Sequence, residues 1–270
     1  MLAGIALQGW VLLALLGISM LIATQEMFSA FENSGIKPVR WPGYLFCILA
    51  ILAQAAMMYI SADIQLHLAA LLLSAMLAMA HLVLEGKIAV ERMIASMFPM
   101  LYPGVFFVCL MLLGAIENRA AATAALLLAF FSASINDVFA LFSGMLFGKH
   151  KLSPELSPKK TIEGSIGGML FCIGFSVAVP PLLKLLFGAY PAFAAELAAL
   201  PPLWFFALLG LVAGAFSQIG DLTASMIKRH CGVKDYGRLF PGHGGIMDRV
   251  DGVLFCGAVC YVFFKIAGLG

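Results

Sequence analysis

Charged residues are scarce in this chain, since Asp, Glu, Lys and Arg make up only 11% of its 270 residues. A soluble globular domain has about a quarter of its residues charged and about half of them apolar. Here 63% of the residues are hydrophobic and the mean hydropathy is +1.02, which excludes an ordinary soluble domain and predicts an all-α, polytopic integral membrane protein. The net charge of only +2 lacks the positive excess that nucleic-acid binding requires, so nucleic acid is not an expected partner.

The sequence also lacks the cysteine spacing of redox and zinc sites, because none of its six cysteines forms a CxxC pair. Five of the six lie in apolar runs, where cysteine is typically a small buried hydrophobic side chain. Neither a disulfide scaffold nor a thiolate metal site is therefore expected. The first ten residues contain no basic residue of the kind that opens a signal peptide, so they are expected to begin a retained span.

Apolar runs of about 20 residues predict about eight transmembrane helices, within a range of about seven to nine. Lys and Arg collect in the loops after the first, third, fifth and seventh spans, so these loops are predicted to be cytoplasmic and both termini to lie outside. The segment 25–40 is predicted to lie along the inner membrane surface or to form a solvated loop. The predicted spans cover residues 2–24, 43–60, 64–84, 94–116, 120–147, 165–188, 203–227 and 250–269.

The residues that could take part in catalysis or ligand binding are concentrated in the second half of the chain. Residues 1–118 are predicted to form N-terminal transmembrane helices, with a kink at Pro99 and Pro103. Residues 119–270 are predicted to form a catalytic transmembrane region with its site at the cytoplasmic side. This region carries two polar stretches, the central polar segment (residues 136–164) and the C-terminal polar segment (residues 225–251).

In the central polar segment, Asp137 follows Asn136 within the fifth predicted span, roughly 15 Å from the basic end of that span at 1.5 Å per residue. A carboxylate at that depth costs several kcal/mol unless it is paired, binds a metal or faces a wet cavity. The sequence favours a functional role, in which Asp137 holds a second cation or makes a cavity polar. The alternative is a protonated side chain in an interhelical hydrogen bond.

Further along this segment, Ser157 and Pro158 are predicted to be the N-cap and the first residue of the sixth span. Lys159, Lys160 and Thr161 would then occupy the first helical turn, where cations oppose the helix dipole. An anion bound between them would explain their presence. Ordinary cytoplasmic positive charge, or contact with lipid headgroups, is the alternative.

The C-terminal polar segment is entered from a helix on which Asp221, Ser225 and Lys228 are spaced i, i+4 and i+7, so they share one face. Asp221 lies roughly 9 Å inside the membrane by the helical rise. An ion pair with Lys228 is the alternative to a metal ion, although a long lysine side chain reaches outward. Asp248 and Asp251 follow at the start of the eighth span, where the helix dipole alone would favour acids. Asp221 and Asp248 are predicted to bind Mg²⁺, which typically takes one or two carboxylates plus substrate phosphates.

Between these acids lies a glycine-rich stretch that includes Gly242, Gly244 and Gly245. Glycine allows backbone N–H groups to approach an oxyanion closely. His243 either donates a hydrogen bond to a phosphate oxygen or only shapes the turn, and the sequence leaves both roles open.

The C-terminal polar segment closely resembles the signature of the CDP-diacylglycerol synthases, also called phosphatidate cytidylyltransferases. The matching pattern is K-R-x4-K-D-x-G-x3-P-G-H-G-G-x2-D-R-x-D, which runs from Lys228 to Asp251 and follows a matching Ser225. The central polar segment, from Asn136-Asp137 to the L-S-P-x-L-S-P-K-K-T-I-E-G stretch at 152–164, resembles the other polar region of that family. The resemblance covers roughly the second half of the chain.

This resemblance implies that the protein converts CTP and phosphatidate into CDP-diacylglycerol and pyrophosphate. It implies Mg²⁺ on Asp221 and Asp248 and, as in bacterial members, a K⁺ ion nearby. It further implies a multi-pass protein of the bacterial inner membrane whose active site faces the cytoplasm. The glycine-rich helices favour a homodimer.

In the reaction that we hypothesise, the phosphatidate phosphate attacks the α-phosphorus of CTP in line, and cations neutralise the pyrophosphate that leaves. Because the attacking phosphate is already ionised at neutral pH, no strong base is required. The predicted catalytic residues are Asp221, Asp248, Lys228, Arg229 and Arg249. The predicted substrate-binding residues are Asp137, Ser157, Lys159, Lys160, Thr161, Glu163, Ser225, Lys234, Asp235, Gly242, His243, Gly244, Gly245 and Asp251.

Two other functions stay open at this point. A CTP-dependent kinase of a polyprenol or of diacylglycerol would use a similar nucleotide site, but it would transfer the γ-phosphate to an alcohol. An ion-coupled transporter could use Asp137 and Asp221 as ion sites. Such transporters often contain internal repeats with broken helices, and this sequence has no visible repeat.

Overall fold

A computed structural model describes residues 9–60, 64–86, 90–242 and 244–269 of the chain. The described residues form helices and one short β-hairpin. The elements in chain order are α1 (Trp10–Asn33), α2 (Trp41–Ile60), α3 (Gln65–Leu84), α4 (Val90–Pro99), a π-helical segment (Met100–Val105), α5 (Phe106–Leu113), α6 (Arg119–Phe147), β1 (Lys151–Ser153), β2 (Ser157–Thr161), α7 (Ile162–Phe187), α8 (Pro191–Ala198), α9 (Leu203–His230) and α10 (Met247–Ile266).

Seven helical stretches in these ranges are long and apolar enough to cross a membrane. The fourth of them is formed by α4, the π-helical segment and α5 together. The eighth predicted span coincides with α10, but Asp248, Arg249 and Asp251 at its start and Lys265 near its end leave only a short apolar stretch between them. The chain is thus an all-α, multi-pass membrane protein, as its composition predicted.

The first helix ends later than the sequence predicted. α1 continues to Asn33, so residues 25–33 belong to a long apolar helix and do not form a surface segment or a loop. The polar side chains of this stretch find partners inside the protein: Glu26 is only 7% exposed, and Asn33 Nδ2 donates to the carbonyl oxygen of Cys231 at 2.8 Å. Residues 1–8, where the predicted first span begins, lie outside the described ranges.

The described chain divides into two compact units. Unit A comprises residues 9–111 and 227–249, and unit B comprises residues 112–226 and 250–269. The functional division that the sequence predicted at residue 118 stays a prediction.

Within unit A, the fourth span is broken where its two prolines predicted a kink. Proline lacks a backbone N–H and therefore interrupts the helical hydrogen bonds. α4 ends at Pro99, and in the π-helical segment that contains Pro103 the backbone of Tyr102 is extended, with φ −128° and ψ 110°. The span is thus two helical pieces joined by an irregular turn.

Within unit B, glycines let α7 approach both α6 and α9 closely. A Cβ atom placed on Gly168 of α7 would lie 2.6 Å from the carbonyl oxygen of Asn136 in α6. A Cβ atom on Gly210 of α9 would lie 2.8 Å from the carbonyl oxygen of Cys172 in α7. Gly210 and Gly214 form a G-x-x-x-G pair, and their place in this contact agrees with the role of small residues in membrane-helix packing.

The connection from α6 to α7 is a β-hairpin, in which β1 pairs with β2 in antiparallel orientation. The N-cap of α7 is Thr161, whose Oγ1 accepts the N–H of Gly164 at 3.2 Å. The prediction that Ser157 and Pro158 open this helix is therefore wrong. Threonine is also a strong N-cap, and pairing with β1 keeps residues 157–161 extended, so the helix begins four residues later.

Candidate active site

A cavity of about 290 Å³ lies in unit B, bounded by α6, the β-hairpin, α7 and α9. Its lining combines polar residues, most of them on the hairpin, α7 and α9, with apolar residues, most of them on α6. The polar lining residues are Asp137, Lys159, Lys160, Thr161, Ser165, Gln218 and Asp221. The apolar ones are Ala140, Leu141, Met145 and Leu152. The cavity therefore has the chemical character to receive an anion that carries an apolar chain.

The centre of the polar side is Lys160, which lies between two carboxylates. Its Nζ is 2.6 Å from Oδ2 of Asp221 and 3.9 Å from Oδ1 of Asp137. The structure thus brings together three predicted residues that are far apart in sequence. The ion-pair partner of Asp221 is Lys160, whereas sequence spacing had suggested Lys228 as the alternative to a metal.

Gln218 links three helices through its side-chain hydrogen bonds. Its Nε2 donates to Asn136 Oδ1 at 3.0 Å and to the carbonyl oxygen of Ser165 at 3.0 Å, and its Oε1 accepts the hydroxyl of Ser165. Sequence reasoning missed Gln218 and Ser165. The available signal was helical spacing, because Gln218 precedes Asp221 by three residues and so lies on the same face of α9.

Glu163 secures the base of the hairpin. Its Oε2 accepts the backbone N–H groups of Lys149 at 3.0 Å and His150 at 3.2 Å, and its Oε1 lies 2.6 Å from Nδ1 of the His150 ring. This carboxylate was predicted to bind substrate. Its contacts tie the start of α7 to the residues just before β1, at the base of the hairpin that carries Lys159 and Lys160, and its role in substrate binding stays a prediction.

In unit A, both oxygens of the Asp248 carboxylate accept hydrogen bonds. Its side chain is 6% exposed, and its Oδ1 accepts a charged hydrogen bond from Lys228 Nζ at 2.9 Å. Its Oδ2 accepts the backbone N–H groups of Tyr236 at 2.8 Å and Gly245 at 3.0 Å. The Lys228 ammonium also lies 5.5 Å from the centre of the Tyr236 ring, a cation–π distance.

Two glycines of the glycine-rich stretch lie against carboxylates of the protein itself, and their predicted contact with a substrate phosphate stays a prediction. Gly244 has φ +81°, and a Cβ atom there would lie 2.7 Å from Oδ2 of Asp248. A Cβ atom on Gly245 would overlap the carboxylate of Glu26 on α1. Sequence reasoning missed Glu26, although an acid within an apolar span is itself a signal. His243 lies outside the described residues.

The other predicted residues of this segment are placed mostly at the surface. Five of them are exposed, which are Arg229, Lys234, Asp235, Gly242 and Arg249. Ser225 and Asp251 are partly buried in unit B. A Cβ atom on Gly220, next to Asp221, would lie 2.7 Å from the carbonyl oxygen of Asp251, so α9 and α10 are in close contact there.

The two predicted metal ligands share one feature that suits a hard cation. Asp221 and Asp248 each direct an oxygen at a lysine ammonium, a position where a metal ion could replace the positive charge. The described residues contain no group of three or more His, Cys, Asp or Glu side chains that could hold a metal ion on their own. A magnesium ion at either aspartate would therefore need substrate oxygens and water to complete its coordination, as is usual for this ion.

Comparison with known proteins agrees with this chemistry. The sequence profile of the cytidylyltransferase family matches residues 1–267. The chain is 33% identical over 256 residues to a phosphatidate cytidylyltransferase of Staphylococcus aureus, an alignment that covers 92% of this chain and 87% of the relative. It is 32% identical over 289 residues to the chloroplastic phosphatidate cytidylyltransferase 4 of Arabidopsis thaliana, covering 95% of this chain and 68% of the relative. The chain belongs to the cytidylyltransferase family.

Proposed function

We propose that the protein is a phosphatidate cytidylyltransferase, which makes CDP-diacylglycerol and pyrophosphate from CTP and phosphatidate. The observation that carries this proposal is the cavity of unit B, whose lining combines the charged side chains of Lys159, Lys160 and Asp221 with apolar residues of α6. Phosphatidate has the same division, because a phosphate headgroup is attached to two acyl chains. The relatives described above are named for the same activity.

The proposed reaction begins with phosphatidate in the membrane and its phosphate in the polar part of the cavity. A phosphate oxygen attacks the α-phosphorus of CTP, and the bond from that phosphorus to the bridging oxygen of the β-phosphate breaks. Pyrophosphate leaves with the bond electrons, and no proton has to be removed from the nucleophile. The demand on the protein is therefore to align the two phosphates and to neutralise their charge.

The chain's cations have distinct parts in this scheme. Lys160 and Lys159 line the cavity and would hold a substrate phosphate. Arg229, Lys234 and Arg249 are exposed and would hold the leaving pyrophosphate together with Lys228. Lys228 is already paired with Asp248, so its share in pyrophosphate binding requires that this ion pair loosens when substrate arrives.

Magnesium would be held by Asp221 and Asp248, each of which offers an oxygen that now faces a lysine. Bound there, Mg²⁺ would supply Lewis-acid polarisation of the α-phosphate. Asp137, which is 55% exposed and faces Lys160, is a candidate for a second cation such as K⁺. Both assignments rest on the chemistry of the oxygens and on the family resemblance.

The distribution of Lys and Arg among the loops supports an active site that faces the cytoplasm of a bacterial inner membrane. This orientation would give the site access to cytoplasmic CTP. The homodimer that the sequence favoured stays a prediction.

The proposal is tested by mass spectrometry of the products formed by purified protein with phosphatidate, CTP, Mg²⁺ and K⁺. CDP-diacylglycerol and pyrophosphate in equal amounts are expected. In a parallel reaction a lipid alcohol, diacylglycerol or a polyprenol, replaces phosphatidate, and the release of CDP with a phosphorylated lipid only there would identify a lipid kinase and contradict the proposal. The absence of both products, with ion flux into liposomes, would contradict it in favour of a transporter.

A further inference from the structure

Glu26 is a buried carboxylate for which the proposed reaction has no use. It lies in α1, a helix long and apolar enough to cross the membrane, and it is only 7% exposed. Burying a carboxylate in such a helix costs several kcal/mol unless hydrogen bonds or a partner charge compensate it. Its contacts should therefore explain why it is there.

The partners of Glu26 are backbone N–H groups at the start of α10. Its Oε1 accepts the N–H of Ile246 at 3.0 Å, and its Oε2 accepts the N–H of Met247 at 2.8 Å. The first N–H groups of a helix have no partner within the helix, and the positive end of the helix dipole favours a negative charge. Glu26 thus caps α10 from a helix more than 200 positions earlier in the sequence.

Two glycines make room for this carboxylate. A Cβ atom on Gly237 or on Gly245 would overlap the carboxylate of Glu26. Gly237 and residues 245–247 therefore lie around the Glu26 carboxylate, and glycine at both positions is what permits the close approach.

The same stretch also holds Asp248. Gly245 donates its N–H to Oδ2 of Asp248, and the next two N–H groups, those of Ile246 and Met247, go to Glu26. Three consecutive backbone donors are thus divided between two carboxylates. Without the Glu26 carboxylate, the N–H groups of Ile246 and Met247 would lose their acceptor, and the peptide units that carry them could rotate. The neighbouring N–H of Gly245, which donates to Asp248, would then change direction as well.

We propose that Glu26 is a positioning residue for Asp248. It fixes the backbone of residues 245–247, and this backbone fixes the direction in which Asp248 presents its Oδ1 oxygen, now held by Lys228 at 2.9 Å. The inference rests on the proposed function, in which Asp248 holds Mg²⁺. Outer partners of metal ligands typically change metal affinity or activity by about 10–100-fold when they are removed.

The test is Glu26→Gln, which keeps the size of the side chain but replaces one acceptor oxygen with an NH₂ group that cannot accept a hydrogen bond. The matched control is Glu32→Gln on the same helix, because Glu32 is exposed and pairs with Arg40. For each purified protein, Mn²⁺ binding is titrated by electron paramagnetic resonance, and turnover is measured against Mg²⁺ and phosphatidate concentration.

Glu26→Gln is expected to weaken Mn²⁺ binding about tenfold and to raise the Mg²⁺ concentration for half-maximal turnover by a similar factor. The KM for phosphatidate should stay within about twofold of the wild-type value, since a general loss of structure would change it as well. Glu32→Gln should match the wild type. Unchanged Mn²⁺ binding in folded Glu26→Gln would overturn the inference, and so would a loss of turnover with an unchanged Mg²⁺ requirement.

A second variant keeps the test available if Glu26→Gln does not fold. Gly237→Ala retains the carboxylate but pushes it away, and it should weaken Mn²⁺ binding in the same direction; wild-type binding would overturn the inference. Its control is Gly174→Ala, because a Cβ atom at Gly174 has open space around it. Wild-type protein that binds Mn²⁺ but forms no CDP-diacylglycerol would contradict the proposed function, whereas the binding measurements would still decide the role of Glu26.

Discussion

At the scale of residues, each predicted metal ligand is paired with its own lysine. Asp221 faces Lys160 from the hairpin, and Asp248 faces Lys228 from the end of α9. In each pair the ammonium occupies a place that a metal ion could take. Each carboxylate thus has a cation beside it that a metal ion would have to displace.

The first prediction concerns these carboxylates. Asp221→Asn and Asp248→Asn should each lower kcat at least about 100-fold, because a neutral amide binds Mg²⁺ poorly. The asparagine at 248 keeps an oxygen for the N–H groups of Tyr236 and Gly245, so the loop should stay folded. Turnover is measured by CDP-diacylglycerol formation, with Glu32→Gln as the control. Near-normal kcat in either variant would remove that residue from the metal site.

The second prediction concerns Lys160. Lys160→Met removes the ammonium that lies 2.6 Å from Asp221, so Asp221 and Asp137 lose the positive charge between them. Mn²⁺ should then bind the substrate-free protein about tenfold more tightly, while turnover falls because the phosphate contact is lost. Binding is measured by electron paramagnetic resonance. Lys184→Met, at the exposed end of α7, should leave both quantities unchanged, and weaker Mn²⁺ binding by Lys160→Met would contradict this role.

At the scale of elements, the β-hairpin is the part of the cavity that the sequence did not predict. A serine followed by a proline commonly begins a helix, and the local sequence around Ser157 and Pro158 does not indicate that Thr161 caps the helix instead. The residue at which α7 begins depends on the pairing between β1 and β2 and on the contacts of Glu163 with His150. These contacts form only after the chain has turned back on itself.

The third prediction tests the hairpin as a support for Lys159 and Lys160. Glu163→Ala leaves the N–H groups of Lys149 and His150 without their acceptor, so the hairpin should become mobile. Hydrogen exchange over residues 149–161 should quicken, and kcat/KM for CTP should fall at least about tenfold through loss of positioning.

Glu155→Gln, at the exposed turn of the hairpin, is the control for this change and should leave exchange and turnover as in the wild type. Rapid exchange in Glu163→Ala with unchanged kcat/KM would mean that the hairpin has no part in catalysis.

At the scale of the whole molecule, the arrangement of helices could largely be predicted and the partners of polar groups could not. Hydropathy is a property of each segment, and it located the spans that the structure contains. The partner of a carboxylate depends on which helices become neighbours. Asp221 was expected to meet either a metal or Lys228, and Glu26 was not considered, because their partners lie 61 and 220 positions away.

The fourth prediction concerns helix packing. Gly210→Val places a branched side chain where a Cβ atom alone would lie 2.8 Å from the carbonyl oxygen of Cys172. Overpacking of this kind typically costs about 1–3 kcal/mol, so the midpoint of thermal unfolding in detergent should fall. Gly174→Ala provides the reference, because the space around it is open. An unchanged midpoint for Gly210→Val would show that α7 and α9 can separate without cost.

The mixed polar and apolar lining of the cavity has a practical consequence for work with the purified protein. Leu141 and Met145 of α6 are exposed apolar residues that line the cavity together with Lys159 and Lys160. A detergent monomer with an anionic head and a single alkyl chain has the same two ends as the proposed lipid substrate. Dodecyl phosphate should therefore compete with phosphatidate, whereas a maltoside of equal chain length should not, and the choice of micelle becomes part of the kinetic experiment.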